Sequence, residues 1–169
     1  GKTIVSLLAA ANAVESGYQV AIMAPTEILA NQHYQLGKKV FKRLIDIDIL
    51  SSKAPGSKKK NVVEKIQNNK TKIIFGTHAL FQKKINYNNL GFIVIDEQHK
   101  FGVKQRKALS DKGGKNWDIL LMSATPIPRT SIMSIYGDMD VSIIKEKPLN
   151  RKEVLTYSKP INKINEIIK

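Results

Sequence analysis

Cysteine is absent from this sequence. Disulfides and thiolate metal sites are therefore excluded, and a reducing cytosol is a compatible setting. Long apolar runs are absent too: no stretch approaches the ~18 residues that a membrane span requires. The opening residues GKTIVSLLAAANAV carry one early Lys in a helical pattern, not the layout of a secretory signal. No internal repeat or low-complexity tract is visible, and no His/Asp/Glu spacing suits a zinc site. The lone Trp, Trp117, reads as a packing residue. Acidic residues are scarce, 14 Asp plus Glu against 28 Lys plus Arg, for a net charge of +14. That excess fits a polyanionic partner such as nucleic acid. It equally fits a Lys-, Ile- and Asn-rich sequence written in A/T-rich codons. Runs such as the Lys at 58–60 and 83–84 are solvated faces by default.

What is present is enough for one domain: 169 residues, 42% of them hydrophobic. Helical and apolar-strand patterns alternate along the chain. Residues 2–16 predict a helix that Gly17 stops, followed by a strand at 18–24. Pro25 and Thr26 turn the chain into a helix reaching about Arg43, and DIDILS (46–51) predicts a second strand. A basic helix is expected over 58–68, a strand over 72–76 and a short helix from Thr77. FIVID (92–96) is a fourth strand, 103–111 a helix and DILLMS (118–123) a fifth strand. A helix to Tyr136, a short strand at 141–145, a strand at 153–158 and the start of a further helix complete the expectation. This alternation predicts an α/β fold with a parallel sheet covered on both faces. Ligands of such sheets bind beyond the carboxyl ends of the strands. Polar clusters fall at those ends: PTE after Ala24, GTH after Phe75, DEQH after Ile95 and SAT after Met122. A buried core needs no such residues on one edge; a binding site does.

Each cluster has a chemical and a bland reading. Asp96 and Glu97 together suit one carboxylate on a divalent cation and one facing a water, as nucleoside triphosphate hydrolysis requires. Alone they fit a solvated turn. Gly1, Lys2 and Thr3 match only the last three letters of a P-loop, in which Lys reaches phosphate oxygens and Thr holds Mg²⁺. A lone GKT is weak; at a helix start, with DEQH at a later strand end, it is far stronger. Ser123, Ala124 and Thr125 supply small hydroxyl groups that could sense nucleotide state or cap a helix before Pro126. Arg129 suits a structural role or a phosphate contact. Thr26 and Thr77 each open a helix, as a cap or as a dock for a nucleic-acid phosphate. His33 reads as a surface or packing residue of its helix. His78 is intermediate, and His99 suits a coupling role beside the acid pair.

At this point the motifs match a family. GKT, APTEILANQHY (24–34), GTHAL (76–80), DEQHKFGVKQR (96–106) and MSATPIPRT (122–130) resemble the ordered motifs of superfamily 2 helicases. DEQHKFGVKQR, MSATPIPRT and GDMDVSIIKEKPLNR (137–151) resemble the RecG-type ATP-dependent DNA helicases in particular. Transcription-repair coupling factors share the FGV and ATPIPRT elements, but their acid box reads DEEH or DEEQ followed by RFGV. The resemblance implies a RecA-like P-loop NTPase sheet, ATP and Mg²⁺ as cofactors, and branched DNA (stalled forks, Holliday junctions) as partner in repair and recombination. It implies Gly1, Lys2 and Thr3 on the phosphates, Thr3 and Asp96 on Mg²⁺, and Glu97 activating water. Gln98 and His99 would relay the γ-phosphate state to Ser123, Ala124 and Thr125. Pro25, Thr26 and Glu27, with Gly76, Thr77 and His78, would touch or couple to the DNA backbone, as would Arg129. A bacterial cytoplasmic, nucleoid-associated monomer is the implied setting.

The resemblance assigns residues 1–147 to the first RecA-like ATP-binding lobe and 148–169 to a linker and the beginning of the second. Relative to the family, the start of the P-loop and the strand before it are missing, as are a junction-gripping wedge region and most of the second lobe. The loss of that strand predicts a gap in the sheet or unpaired edges. The second lobe supplies the family's arginine fingers, whose loss costs on the order of 10³–10⁵ in rate in related systems. The chain by itself is therefore expected neither to unwind DNA nor to hydrolyse ATP at a useful rate. A non-catalytic remnant of a split gene and a coupling-factor-like translocase are the alternative expectations.

Overall fold

A computed structural model describes residues 1–51, 54–82, 84–97, 117–124 and 140–144, together with 158, 160 and 161. The chain opens with helix α1 (Lys2–Glu15), followed by strand β1 (Gln19–Met23) and helix α2 (Glu27–Phe41). Strand β2 (Ile47–Leu50), helix α3 (Gly56–Gln67) and strand β3 (Ile73–Gly76) follow, then a single 3₁₀ turn, His78–Phe81. Strands β4 (Leu90–Asp96) and β5 (Asp118–Met122) complete the sheet.

Local chemistry explains the boundaries. Gly17 has φ +89°; with Gly17 N donating to Val14 O (2.9 Å) and Tyr18 N to Ala13 O (3.0 Å), α1 ends in a Schellman motif. Asn69, at φ +55°, closes α3 in the same way through Lys70 N to Lys65 O, 2.9 Å. The Thr26 side chain caps α2, accepting from Leu29 N at 3.3 Å. Helix α3 begins at Gly56 and β4 at Leu90, both slightly earlier than the sequence pattern suggests.

All strand pairs are parallel, in the order β2-β3-β1-β4-β5. Alternate residues feed two cores. Ala21, Met23, Ile74, Ile93 and Ile95 face one way, with Ile66 of α3 and Leu80. Val20, Ile22, Ile73, Phe75 and Val94 face the other, with Leu7 and Ala10 of α1 and Phe41 of α2. Both faces are thus covered, as continuous apolar strands require.

Two expectations are corrected. Pairing runs unbroken from β2 to β5, because β4 and β5 pair directly from Phe92↔Asp118 to Asp96↔Met122. Among the described residues the sheet has no gap, so only that branch of the expectation fails; the other branch, unpaired edges, is met at β2 and β5. Residues 141–144 form no strand despite their β-branched side chains; Val141, Ile143 and Ile144 are exposed. Strand propensity is realised only against a paired neighbour. The elements expected at 103–111, up to Tyr136, at 153–158 and beyond lie outside the described residues.

Candidate nucleotide-binding edge

Because every strand is parallel, their carboxyl ends share one edge, and the register aligns them closely. Met23 pairs with Gly76 and with Ile95, and Asp96 pairs with Met122. The segments PTE, GTH, DE and SA therefore start within two residues of one another along the strand direction. Ala24 N donates to Gly76 O (2.9 Å), carrying the β1–β3 pairing one step past β1. Helix α1 packs against β1 and β4. It precedes β1 through a tight turn and so runs back along it, which brings Gly1, Lys2 and Thr3 to this same edge. Lys2 is exposed and Thr3 half-buried. Within the first turn Ser6 Oγ donates to Thr3 O at 2.8 Å. No acidic side chain occupies that turn, so the helix dipole there is left for an anion.

Asp96 closes β4 with its carboxylate held on both oxygens. Oδ2 lies 2.8 Å from His33 Nε2, and Oδ1 accepts from Glu97 N at 3.0 Å. Burial pushes the Asp96 carboxyl up, but the His33 hydrogen bond, the His33 charge, the Glu97 amide and Lys2 together outweigh it and hold it below its ordinary value. Each oxygen keeps a further lone pair. One ionised carboxylate within electrostatic reach of Lys2 fits Mg²⁺, which takes one or two carboxylates and otherwise phosphate and water. Among the described residues there is no group of three or more His, Cys, Asp and Glu that would make an all-protein cage. Glu97 has φ +52°. That left-handed backbone, costing about 1 kcal/mol for an L-residue, ends the extended run of β4.

The remaining expected residues fall into three groups. Pro25 and Glu27 are half-buried and Thr26 exposed at the start of α2; Thr26 accepts from the helix yet keeps its own O–H to donate. Gly76 is buried, and a Cβ there would stand 2.9 Å from Leu50 O and from the Leu80 side chain, so packing alone requires glycine. Thr77 is buried beside it while His78 is exposed. Ser123 is half-buried and Ala124 exposed just after β5. Gln98, His99, Thr125 and Arg129 lie outside the described residues.

His33 is the residue whose part in the site the sequence reading missed. It is buried at 8% exposure, as the packing half of that reading expects, but it also reaches Asp96 across 63 positions. A signal existed. His33 lies in phase with Ala30, Gly37 and Phe41, the buried stripe of α2. An imidazole on such a stripe needs a buried polar partner.

Comparison with known proteins agrees with this architecture. The chain belongs to the DEAD/DEAH box helicase family, whose model matches residues 1–133. Within that class it is similar to the ATP-dependent DNA helicase RecG of Aquifex aeolicus, 51% identical over 158 residues, covering 92% of this chain and 20% of the relative. The RecG of Thermotoga maritima is 45% identical over 168 residues, covering 99% and 21% respectively. The chain therefore spans about a fifth of the length of these curated relatives. A solved structure of RecG bound to a three-way DNA junction superposes with a TM-score of 0.80 at 41% identity, over 99% of this chain and 22% of that one. Domain 2 of the Mss116p DEAD-box helicase, bound to an RNA duplex, shares the fold alone: TM-score 0.58 at 14% identity, over 72% of this chain and 50% of that one. Among the described residues no helix is long and apolar enough to cross a membrane.

Proposed function

We propose that this chain is the ATP-binding half of a RecG-type helicase motor: residues 1–147 form the first RecA-like lobe, and 148–169 the linker and start of the second. In this reading Gly1 and Lys2 bind the nucleotide phosphates, and Thr3 and Asp96 hold Mg²⁺. Glu97 orients and deprotonates the attacking water, while Gln98 and His99 pass the phosphate state to Ser123, Ala124 and Thr125. Bound Mg²⁺ neutralises developing charge on the phosphate oxygens. The DNA backbone runs over the neighbouring strand ends, touching or coupling to Pro25, Thr26 and Glu27, and Gly76, Thr77 and His78, and Arg129 is assigned to the same DNA contact or coupling. Of these, Thr26 and His78 present exposed side chains for the contact.

The observation that carries the reading is convergence. Lys2 acts on Asp96 electrostatically although the two are far apart in sequence, and both stand at the edge where the other motifs end. The likeness to RecG across almost the whole chain, with a solved RecG bound to a three-way DNA junction, supports branched DNA as the substrate; in this reading that DNA is the stalled fork and the Holliday junction, in repair and recombination. The setting that goes with it is a monomer in the bacterial cytoplasm, associated with the nucleoid. Since this edge is one wall of a two-lobed cleft, the 169 residues alone turn over ATP negligibly.

The test uses the natural polypeptide that carries this sequence. ATP hydrolysis is measured with forked DNA, with linear duplex and without DNA. Fork-specific stimulation, reduced about 10²-fold or more in Glu97→Gln, is expected. Hydrolysis indifferent to DNA form, or surviving that substitution, would overturn the proposal.

A further inference from the structure

Nothing in the motif reading gives His33 a task, yet it makes the described side-chain contact to the Asp96 carboxylate, Nε2 to Oδ2 at 2.8 Å. A carboxylate only accepts, so Nε2 carries the proton in this contact. Both side chains are nearly dry, 10% and 13% exposed, where a hydrogen bond is stronger than in water. The second oxygen is held by the Glu97 amide at 3.0 Å. Two donors from two directions set the torsion of the carboxylate, and one of them comes from another element altogether. The His33 ring is itself fixed, because Ala30, Gly37 and Phe41 seat α2 on the sheet; Tyr34 next to it meets Phe75 edge-on, ring centroids 5.9 Å apart. This helix-to-sheet contact ends on Asp96, the last residue of β4, at the edge where the other motif segments start.

We infer that His33 is a positioning residue: it orients the Asp96 carboxylate for the divalent cation and fastens that carboxylate to α2. The inference rests on the reading of Asp96 as a cation ligand. It adds a mechanical consequence. Thr26, the cap of α2, lies at the same edge seven residues before His33, two helical turns along the same face. A phosphate contact at Thr26 and the cation ligand are then joined by one rigid helix, without passing through the sheet.

The test follows binding and not turnover. The natural polypeptide is titrated with N-methylanthraniloyl-ADP in EDTA and across a range of MgCl₂, comparing parent, His33→Phe and His33→Gln. Phe keeps the ring volume without a donor, and Gln restores an N–H at about the reach of Nε2. The expected result is a Mg²⁺ midpoint raised about 10- to 100-fold in His33→Phe. Affinity in EDTA stays unchanged, and the midpoint largely recovers in His33→Gln. A His33→Phe midpoint within about twofold of the parent, well short of the expected range, overturns the inference while leaving the nucleotide site standing. Equal damage in both variants, or equal loss in EDTA, overturns it as well, since that marks a packing role. A parent whose nucleotide binding ignores Mg²⁺ sinks the reading of the site itself, and the inference with it. If His33→Phe does not fold, the His33 imidazole resonances of the labelled parent are followed as MgCl₂ is added to the nucleotide complex. They must shift; unmoved resonances overturn the proposal.

Discussion

Gln19 offers the sharpest test of how this sheet is held. It opens β1 and is 0% exposed. Its Nε2 donates to Ile66 O and to Thr71 O, both at 2.9 Å, and its Oε1 accepts from Asn88 N (2.9 Å) and Asn89 N (3.1 Å). One amide therefore ties together the end of α3, the segment entering β3 and the segment entering β4. In Gln19→Leu all four bonds are lost in a side chain of similar size. Ile66 O keeps Asn69 N at 3.1 Å, so its loss is small. Thr71 O, buried, loses this partner at about 1–3 kcal/mol, and the two part-buried N–H groups lose about 1 kcal/mol each. The sum is about 3–5 kcal/mol, a large share of the roughly 5–15 kcal/mol that holds an ordinary domain. Urea unfolding followed by circular dichroism, with m near 2 kcal/mol/M, should show a midpoint about 2 M lower. Gln19→Glu discriminates further: a carboxylate there would face two carbonyl oxygens. The folded-state pKa of that Glu is raised, so its penalty grows as pH rises and is relieved in acid. A Gln19→Leu loss below about 1 kcal/mol would refute the reasoning, since it would mean that the backbone groups find other partners.

Other outcomes follow from the same geometry. Gly76→Ala must push its Cβ against Leu50 O and Leu80, 2.9 Å away, and should lower stability by about 1–3 kcal/mol in the same urea assay. Thr26→Ala removes the α2 cap and should cost about 1 kcal/mol, while also weakening DNA affinity if the hydroxyl donates to a phosphate. The Asp96 carboxyl is held below its ordinary value. Its contribution to stability is therefore complete above the unfolded carboxylate pKa of about 3.9 and is lost as pH falls through the lower folded value. Stability measured from neutral into acid should fall less steeply in Asp96→Asn than in the parent; parallel curves would contradict the ion-pairing described here.

The sequence alone was enough for the class of fold. Uninterrupted apolar runs such as FIVI at 92–95 say that a strand is covered on both faces, whatever its neighbours are. Gly17 and Thr26 mark a helix end and a helix start by local sterics and hydrogen bonding, which need no tertiary context. The polar clusters were legible as a site because parallel strands put all their carboxyl ends together, so that order in the chain became position on an edge. What is local in chain or in topology could be read.

What depends on the docking of one element against another could not. Strand order left no gap because β4 and β5 are direct neighbours, and pairing partners are chosen across the whole sheet. Residues 141–144 have strand composition but pair with no strand among the described residues. Gly76 is legible as a motif letter, but the packing requirement that Leu50 and Leu80 also place on it is not. Gln19 and His33 are buried and make long-range hydrogen bonds, and neither announced its partner. A polar side chain states only that it needs hydrogen bonds; which groups meet it is decided when α2 settles on β2 and β3 and three connecting segments converge at the foot of β1. Residue chemistry along the chain determined the edge and its donors. The packing of helix on sheet determined that the Asp96 carboxylate is gripped by an imidazole from α2, because only close packing brings groups 63 positions apart to within 2.8 Å.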